Sequence, residues 1–244
     1  MLRFHLDRMI AREAGTRLGE DPEELHKMRV ATRRMRAAWR VFGDGFRGER
    51  TKRHRGHLRV IATRLGAVRD RDVLLEGLER YRATASERDR EAIEPLADHW
   101  RTEREVARIE LMEELDSERY LRWLEDFRAF AGSPGTALAP WRPATPHRVR
   151  DTSASRLWEA YEQIRAYEAV LRWADIATLH QLRIAAKRLR YTLEFLRETL
   201  PPEAGEVSDL KLFAKRRYFL GGSRDTTYFD RLREFQARIS AKVR

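Results

Sequence analysis

The stretch Leu25-His-Lys-Met-Arg-Val-Ala-Thr-Arg-Arg-Met-Arg-Ala-Ala-Trp39 decides how the chain is read. Its apolar residues return every three or four positions, the period of an amphipathic helix. At about 100° per residue, His26, Arg29, Arg33, Arg36 and Arg40 share one arc of about 80°. The stripe runs for roughly 21 Å at 1.5 Å per residue. Met28, Ala31, Met35, Ala38, Trp39 and Phe42 fill a neighbouring arc, the expected core face. Arg34 falls off the stripe. No Asp or Glu occurs from Leu25 to Phe42, so the ion pairs one turn apart that usually dress a charged helix are missing. The arginines repel one another unless something anionic lies along them.

The block returns as Leu179-His-Gln-Leu-Arg-Ile-Ala-Ala-Lys-Arg-Leu-Arg-Tyr-Thr-Leu193, 154 residues later. His180, Arg183, Lys187 and Arg190 form its stripe, Leu182, Ala185, Leu189 and Leu193 its apolar face, and Arg188 lies aside. A second block, Leu65-Gly-Ala-Val-Arg-Asp70, returns as Leu220-Gly-Gly-Ser-Arg-Asp225 at an offset of 155. Two blocks repeated in the same order predict two homologous helical subdomains about a pseudo-two-fold.

Outside these blocks nearly every stretch of the 244 residues is helical in pattern. The expected class is all-α. Helices are predicted near 3–19, 23–43, 48–66, 70–83, 88–115 and 118–130, then 147–172, 175–199, 204–219 and 225–242. Breaks are expected at Gly19-Glu-Asp-Pro22, Gly43-Asp-Gly45 and Gly66, and Pro95 marks a kink or a later start. A Pro- and Gly-rich segment, 132–146, reads as a linker between subdomains 1–131 and 147–244.

The net charge is +11, and 44 of the 50 basic residues are Arg. Arginine forks suit phosphate oxygens, although an Arg-for-Lys bias in the genome would give the same bulk composition. The absence of Cys excludes disulfides, thiolate metal sites and a Cys nucleophile. No apolar run reaches the roughly 18–20 residues of a membrane span, and the N-terminus does not read as a signal peptide. A cytoplasmic protein is expected.

A weaker basic set, Arg50, Arg53, His57 and Arg64, shares an arc on the next helix. A solvated face explains it as well as a binding face does. Lys211 and Lys215 stand in its counterpart. Asp70, Asp72 and Asp225 could neutralise the stripes from neighbouring helices, the plain alternative to an external ligand. Asp70-x-Asp72 and His54-x-x-His57 have metal-compatible spacing, but helix capping or arginine pairing explains the aspartates better, and the histidines lack a third ligand. No metal or cofactor is expected. A Gly-rich phosphate loop, a nucleophile motif and a phosphohydrolase His-Asp dyad are all missing, so no catalytic residue is assigned.

The Leu-His-x-Met-Arg-Val-Ala-Thr-Arg-Arg-Met-Arg block, its second copy and the Leu-Gly-x-x-Arg-Asp-x-Asp-Val element closely resemble the CHAD family, the conserved histidine α-helical domain. The resemblance covers essentially the whole chain as one such domain. It implies two helical bundles about a pseudo-two-fold, with a basic central cleft or pore that binds inorganic polyphosphate and no established catalysis. By motif match it implies His26, Arg29, Arg33, Arg36, His180, Arg183, Lys187 and Arg190 as ligand residues; the wheel adds Arg40. Asp70-x-Asp72 becomes Asp225-x-Thr227 in the second copy, a departure from symmetry. The Glu-x-Glu-x-Lys signature of the triphosphate-tunnel enzymes that accompany some members is absent, so a stand-alone member is expected.

The expected function is therefore non-catalytic polyphosphate binding, with a location at polyphosphate granules compatible with it. His26 and His180 would either protonate and add charge or serve as neutral hydrogen bonders. The alternative is a helical binder of nucleic acid or of any polyanion. Nucleic acid is disfavoured because no aromatic residue interleaves with the stripes as a base-stacking platform.

Overall fold

A computed structural model describes residues 1–46, 48–133, 135, 138–140, 146 and 148–197. The helices expected at 204–219 and 225–242, Lys211, Lys215 and the second Leu-Gly-x-x-Arg-Asp225 element lie outside the described residues, as does the Arg50 side chain. Among the described residues there are eight α-helices and no named strand. They are α1 (Leu2–Ile10), α2 (Glu13–Leu18), α3 (Pro22–Phe42), α4 (Gly48–Arg82), α5 (Glu87–Asp116), α6 (Glu118–Gly132), α7 (Val149–Arg165) and α8 (Ile176–Leu196). Short 3-10 turns occupy Gly43–Gly45 and Leu171–Trp173. The all-α class read from the sequence is the class observed.

The chain divides into two compact units, Met1–Ala139 and Pro140–Arg244. In the first, α1, α3, α4, α5 and α6 enclose Leu6, Met9, Met28, Met35, Leu58, Ile61, Leu65, Leu111 and Leu115. Helix α6 adds Tyr120, Trp123 and Phe127, all fully buried. Their three- and four-residue spacing puts them on one face. Trp123 stacks on Phe127 with ring centroids 5.4 Å apart, and Phe127 on Trp39 at 5.3 Å. Each such ring contributes about 2–3 kcal/mol by burial. The second unit's described core is Ala160, Tyr161, Ile164, Leu182, Ala185, Leu189 and Leu193, where α7 meets α8.

Local chemistry fixes the ends. Gly19 takes a left-handed φ of 77° and closes α2. The Arg108 guanidinium of α5 donates to the carbonyls of Thr16, Arg17 and Leu18 there. It lies 2.5 Å from where a Cβ on Gly19 would sit, so any side chain there would both strain the backbone and push the guanidinium off these carbonyls.

Four expected boundaries differ, one of them in the second unit, where the helix expected near 147–172 ends at Arg165. The helix read over 3–19 breaks at Ala11–Arg12, with Arg12 turned to Glu24 of α3 at 2.8 Å. Gly66 does not interrupt α4, which runs unbroken from 48 to 82. Gly66 is buried between Leu65 and Val68, both fully enclosed. That packing outweighs the roughly 1 kcal/mol that glycine costs inside a helix. Pro95 sits within α5 without ending it; it is exposed, so the carbonyl it leaves unpaired can face water.

Candidate functional site: a basic face on α3 and α4

Helix α3 starts where Asp21 caps it. Its carboxylate accepts from the Glu23 amide at 2.8 Å, and Pro22 supplies a preset φ in the first turn. Leu25, Met28, Ala31, Met35, Ala38 and Trp39 are buried. Burying that face turns the stripe outward: Arg33, Arg36 and Arg40 are exposed, and His26 and Arg29 are half-buried. Arg34, off the stripe, lies by His5 of α1. Burial first, then Arg34, Arg8 and the N-terminus, lowers the His5 pKa to about 4.

Helix α4 returns antiparallel to α3. The Arg29 guanidinium lies across Gly66, 3.8 Å from where a Cβ would project, and its Nη2 donates to Asp70 Oδ1 at 3.3 Å. Seven residues further along α3, Arg36 neighbours Arg59, which stands seven residues before Gly66 on α4. Burial and then the Arg59 charge lower the Arg36 pKa. Among the described residues neither Arg36 nor Arg59 has an acidic partner.

At the other end of the stripe His26 sits among Arg69, Arg33 and Arg29. Burial lowers its pKa, Glu23 partly offsets this, and the three arginines reinforce it. Its Nδ1 is buried without a hydrogen bond among the described residues. Arg69 is held by Glu76 at 2.7 Å.

The weaker set is engaged elsewhere. Arg53 pairs with Asp126 of α6 at 2.9 Å, and Arg64 with Glu110 of α5. His57 stacks on Trp123 at 5.8 Å, and the buried His54 on Phe127 at 5.0 Å. Of the suggested acids, Asp70 reaches the stripe. Asp72 is buried and accepts from Arg104 of α5 at 2.6 Å. Asp225 is outside the described residues. No group of three His, Asp or Glu among the described residues is placed to hold a metal ion, and no helix there is long and apolar enough to cross a membrane.

Helix α8 is capped in the same way, Asp175 accepting from the Thr178 amide at 2.7 Å. Asp175 follows Asp21 by 154 residues, and α3 and α8 each span 21 residues. Leu182, Ala185, Leu189 and Leu193 are buried, His180 is exposed, and Arg183, Lys187 and Arg190 are half-buried. Arg190 lies 4.8 Å from the Tyr191 ring and 3.9 Å from Glu194, the first acidic residue after Asp175.

Arg59 and Arg69 are the site residues the sequence reading missed. Arg59 lay within the helix expected over 48–66 but off the arc of the weaker basic set, and Arg69 lay in the break expected at Gly66. Once α4 runs through that glycine, antiparallel register with α3 brings Arg59 to Arg36 and Arg69 to His26.

A family model described as the CHAD domain matches residues 1–227. Among solved structures, the CHAD domain from the plant Ricinus communis matches with a TM-score of 0.68 at 22% identity, covering 99% of this chain and 83% of that one. PptA from Streptomyces chartreusis matches with a TM-score of 0.55 at 18% identity, covering 79% of this chain and 71% of that one. At these identities the likeness speaks to the fold alone. No curated protein matches the sequence.

Proposed function

Because the chain belongs to the CHAD-domain family, we propose that it binds inorganic polyphosphate and does not transform it. One observation carries this reading. Arg59 is near enough to Arg36 to depress its pKa, and neither has an acidic partner among the described residues, whereas Arg53, Arg64, Arg71 and Arg104 each meet a carboxylate on a neighbouring helix. Two adjacent guanidinium groups repel, and an anion lying between them turns that repulsion into two charge-assisted contacts.

The ligand is linear in this reading because the stripe is linear. His26, Arg29, Arg33, Arg36 and Arg40 follow α3, and Arg59 and Arg69 add a second row from α4. Binding releases counterions condensed on the polyanion, so affinity falls steeply with salt. Helix α8 carries the same residue types at the same spacing, and His180, Arg183, Lys187 and Arg190 are assigned the same ligand. Targeting to polyphosphate granules is the cellular setting such binding implies.

Nucleic acid is the competing ligand. Stacking of bases calls for exposed aromatic rings beside the cations, and Trp39, the aromatic nearest the middle of the stripe, is 4% exposed. The deciding experiment is calorimetric titration with long-chain polyphosphate, with single-stranded DNA of equal charge as competitor. Tight binding that the DNA does not displace is expected. Equal displacement would make the face a generic polyanion surface.

A further inference from the structure

The basic face is not uniform along its length. Arg36 and Arg59 themselves have no acidic partner among the described residues. At the His26 end, two cations already have one. Arg29 is tied to Asp70 at 3.3 Å, and Arg69 to Glu76 at 2.7 Å. Asp70 sits in the middle of α4, its side chain 62% exposed, and the structure gives it no other hydrogen bond. It caps no helix and fills no core. Its one hydrogen bond or ion pair among the described residues is to Arg29 of the stripe.

Building on the polyphosphate reading, we infer that Asp70 is an internal competitor for the ligand, a carboxylate that occupies Arg29 until a polyanion long enough to reach it arrives. The two ends of the face then differ in what they ask of a ligand. A short oligophosphate satisfies the open Arg36–Arg59 end and stops there. A long chain continues for seven residues of α3, about 10.5 Å, to Arg29. There it must displace Asp70 and lie beside its charge. Asp70 makes the face less sticky towards a chain's last units and sets how strongly affinity depends on length. The pair is exposed and easily broken, since such pairs contribute little, so Asp70 tunes binding and does not block it.

The test titrates the full chain with tripolyphosphate and with long-chain polyphosphate. It compares wild type, Asp70→Asn, Glu79→Gln, Arg29→Ala and the Arg29→Ala/Asp70→Asn double variant. Glu79→Gln makes the same change in net charge on the same helix, away from the stripe, where Glu79 meets Arg82 and Arg101. Asp70→Asn should tighten long-chain binding about three- to tenfold, a change of about 0.7–1.4 kcal/mol. Tripolyphosphate should change less than about twofold, as should either ligand with Glu79→Gln. In the Arg29→Ala background the gain from Asp70→Asn should shrink to less than about twofold, the direct repulsion left once the carboxylate has no guanidinium to occupy. The inference is overturned if Glu79→Gln matches Asp70→Asn, if tripolyphosphate gains equally, or if the gain persists undiminished without Arg29. Wild type that binds neither polyphosphate would overturn the functional reading itself, and the competitor role with it.

Discussion

Two regions of the first unit use arginine in opposite ways. Where the end of α4 lies along α5, Arg71 meets Glu103 at 3.4 Å, Arg82 meets Glu94 at 2.9 Å and Arg104 meets Asp72 at 2.6 Å. Arg101 reaches both Glu94, at 2.9 Å, and Asp98, at 2.7 Å. Between Val68 and Ala107 the one buried apolar residue among the described residues is Ala97, so this hairpin leans on its ion pairs and on half-buried side chains. On the α3 face the core beneath is complete, and Arg36 confronts Arg59. Arginine content does not separate the two regions. What lies opposite each guanidinium does: in the hairpin Arg71, Arg82 and Arg104 each meet a carboxylate, whereas on the α3 face Arg36 has another guanidinium, Arg59, as its neighbour.

The sharpest way to break this contrast is Arg104→Ala. It leaves the Asp72 carboxylate buried without a partner, which costs about 3 kcal/mol. Urea denaturation should register that loss while polyphosphate affinity stays within about twofold. A parallel loss of affinity would mean that the hairpin belongs to the site.

The converse variant is Arg36→Ala with Arg59→Ala. Affinity for long-chain polyphosphate should fall about fiftyfold, near 2.3 kcal/mol. The salt dependence of log K should flatten by about 1.5 units, since two phosphate contacts are gone. Stability should hold or rise slightly, because a repulsive pair is removed. Unchanged binding would reduce the stripe to a solvated surface.

A smaller effect sharpens the contrast within the stripe. His26 has its pKa below the ordinary 6.5, chiefly through burial; Glu23 opposes this, and the neighbouring Arg69, Arg33 and Arg29 add to it. A bound polyanion offsets the arginine charges and raises the pKa, so binding takes up a proton. Affinity should therefore grow as pH falls through the bound-state value and level off below the free-state value. The gain should be about two- to fourfold and should vanish in His26→Gln. The same depression opposes folding in acid, because the unfolded chain binds that proton more readily. His5, at about 4, acts in the same direction, so stability should fall as pH drops from 6.5 towards 4. Thermal melts across that range check this, with His5→Gln as the variant that flattens the curve.

Helix α3 was legible because everything needed lies within it: apolar residues on one arc, basic residues on the next, Asp21-Pro22 before and Gly43 after. The continuity of α4 was not. A glycine is a local cost, and the packing that overrides it comes from elements distant in sequence. The break at Ala11–Arg12 was hidden for the complementary reason. Neither residue is a helix breaker, and Arg12 pairs with a residue of α3. The same division holds for the site. The stripe on α3 follows from spacing alone. That Arg53 and Arg64 are answered by Asp126 and Glu110, while Arg59 meets no acid among the described residues, depends on which helices lie opposite.

The rigid length of α3 has a consequence for how the protein would measure a polymer. Its cations are set out on 21 residues of continuous helix, so their spacing is fixed before any ligand arrives. The loss of conformational freedom on binding then falls on the polymer alone. Each further unit laid along the helix adds contacts and loses its own freedom at a constant rate. Beyond the last cation it would lose freedom and gain nothing. Affinity should climb with chain length and then reach a plateau, so that the helix acts as a ruler whose end mark is Arg40.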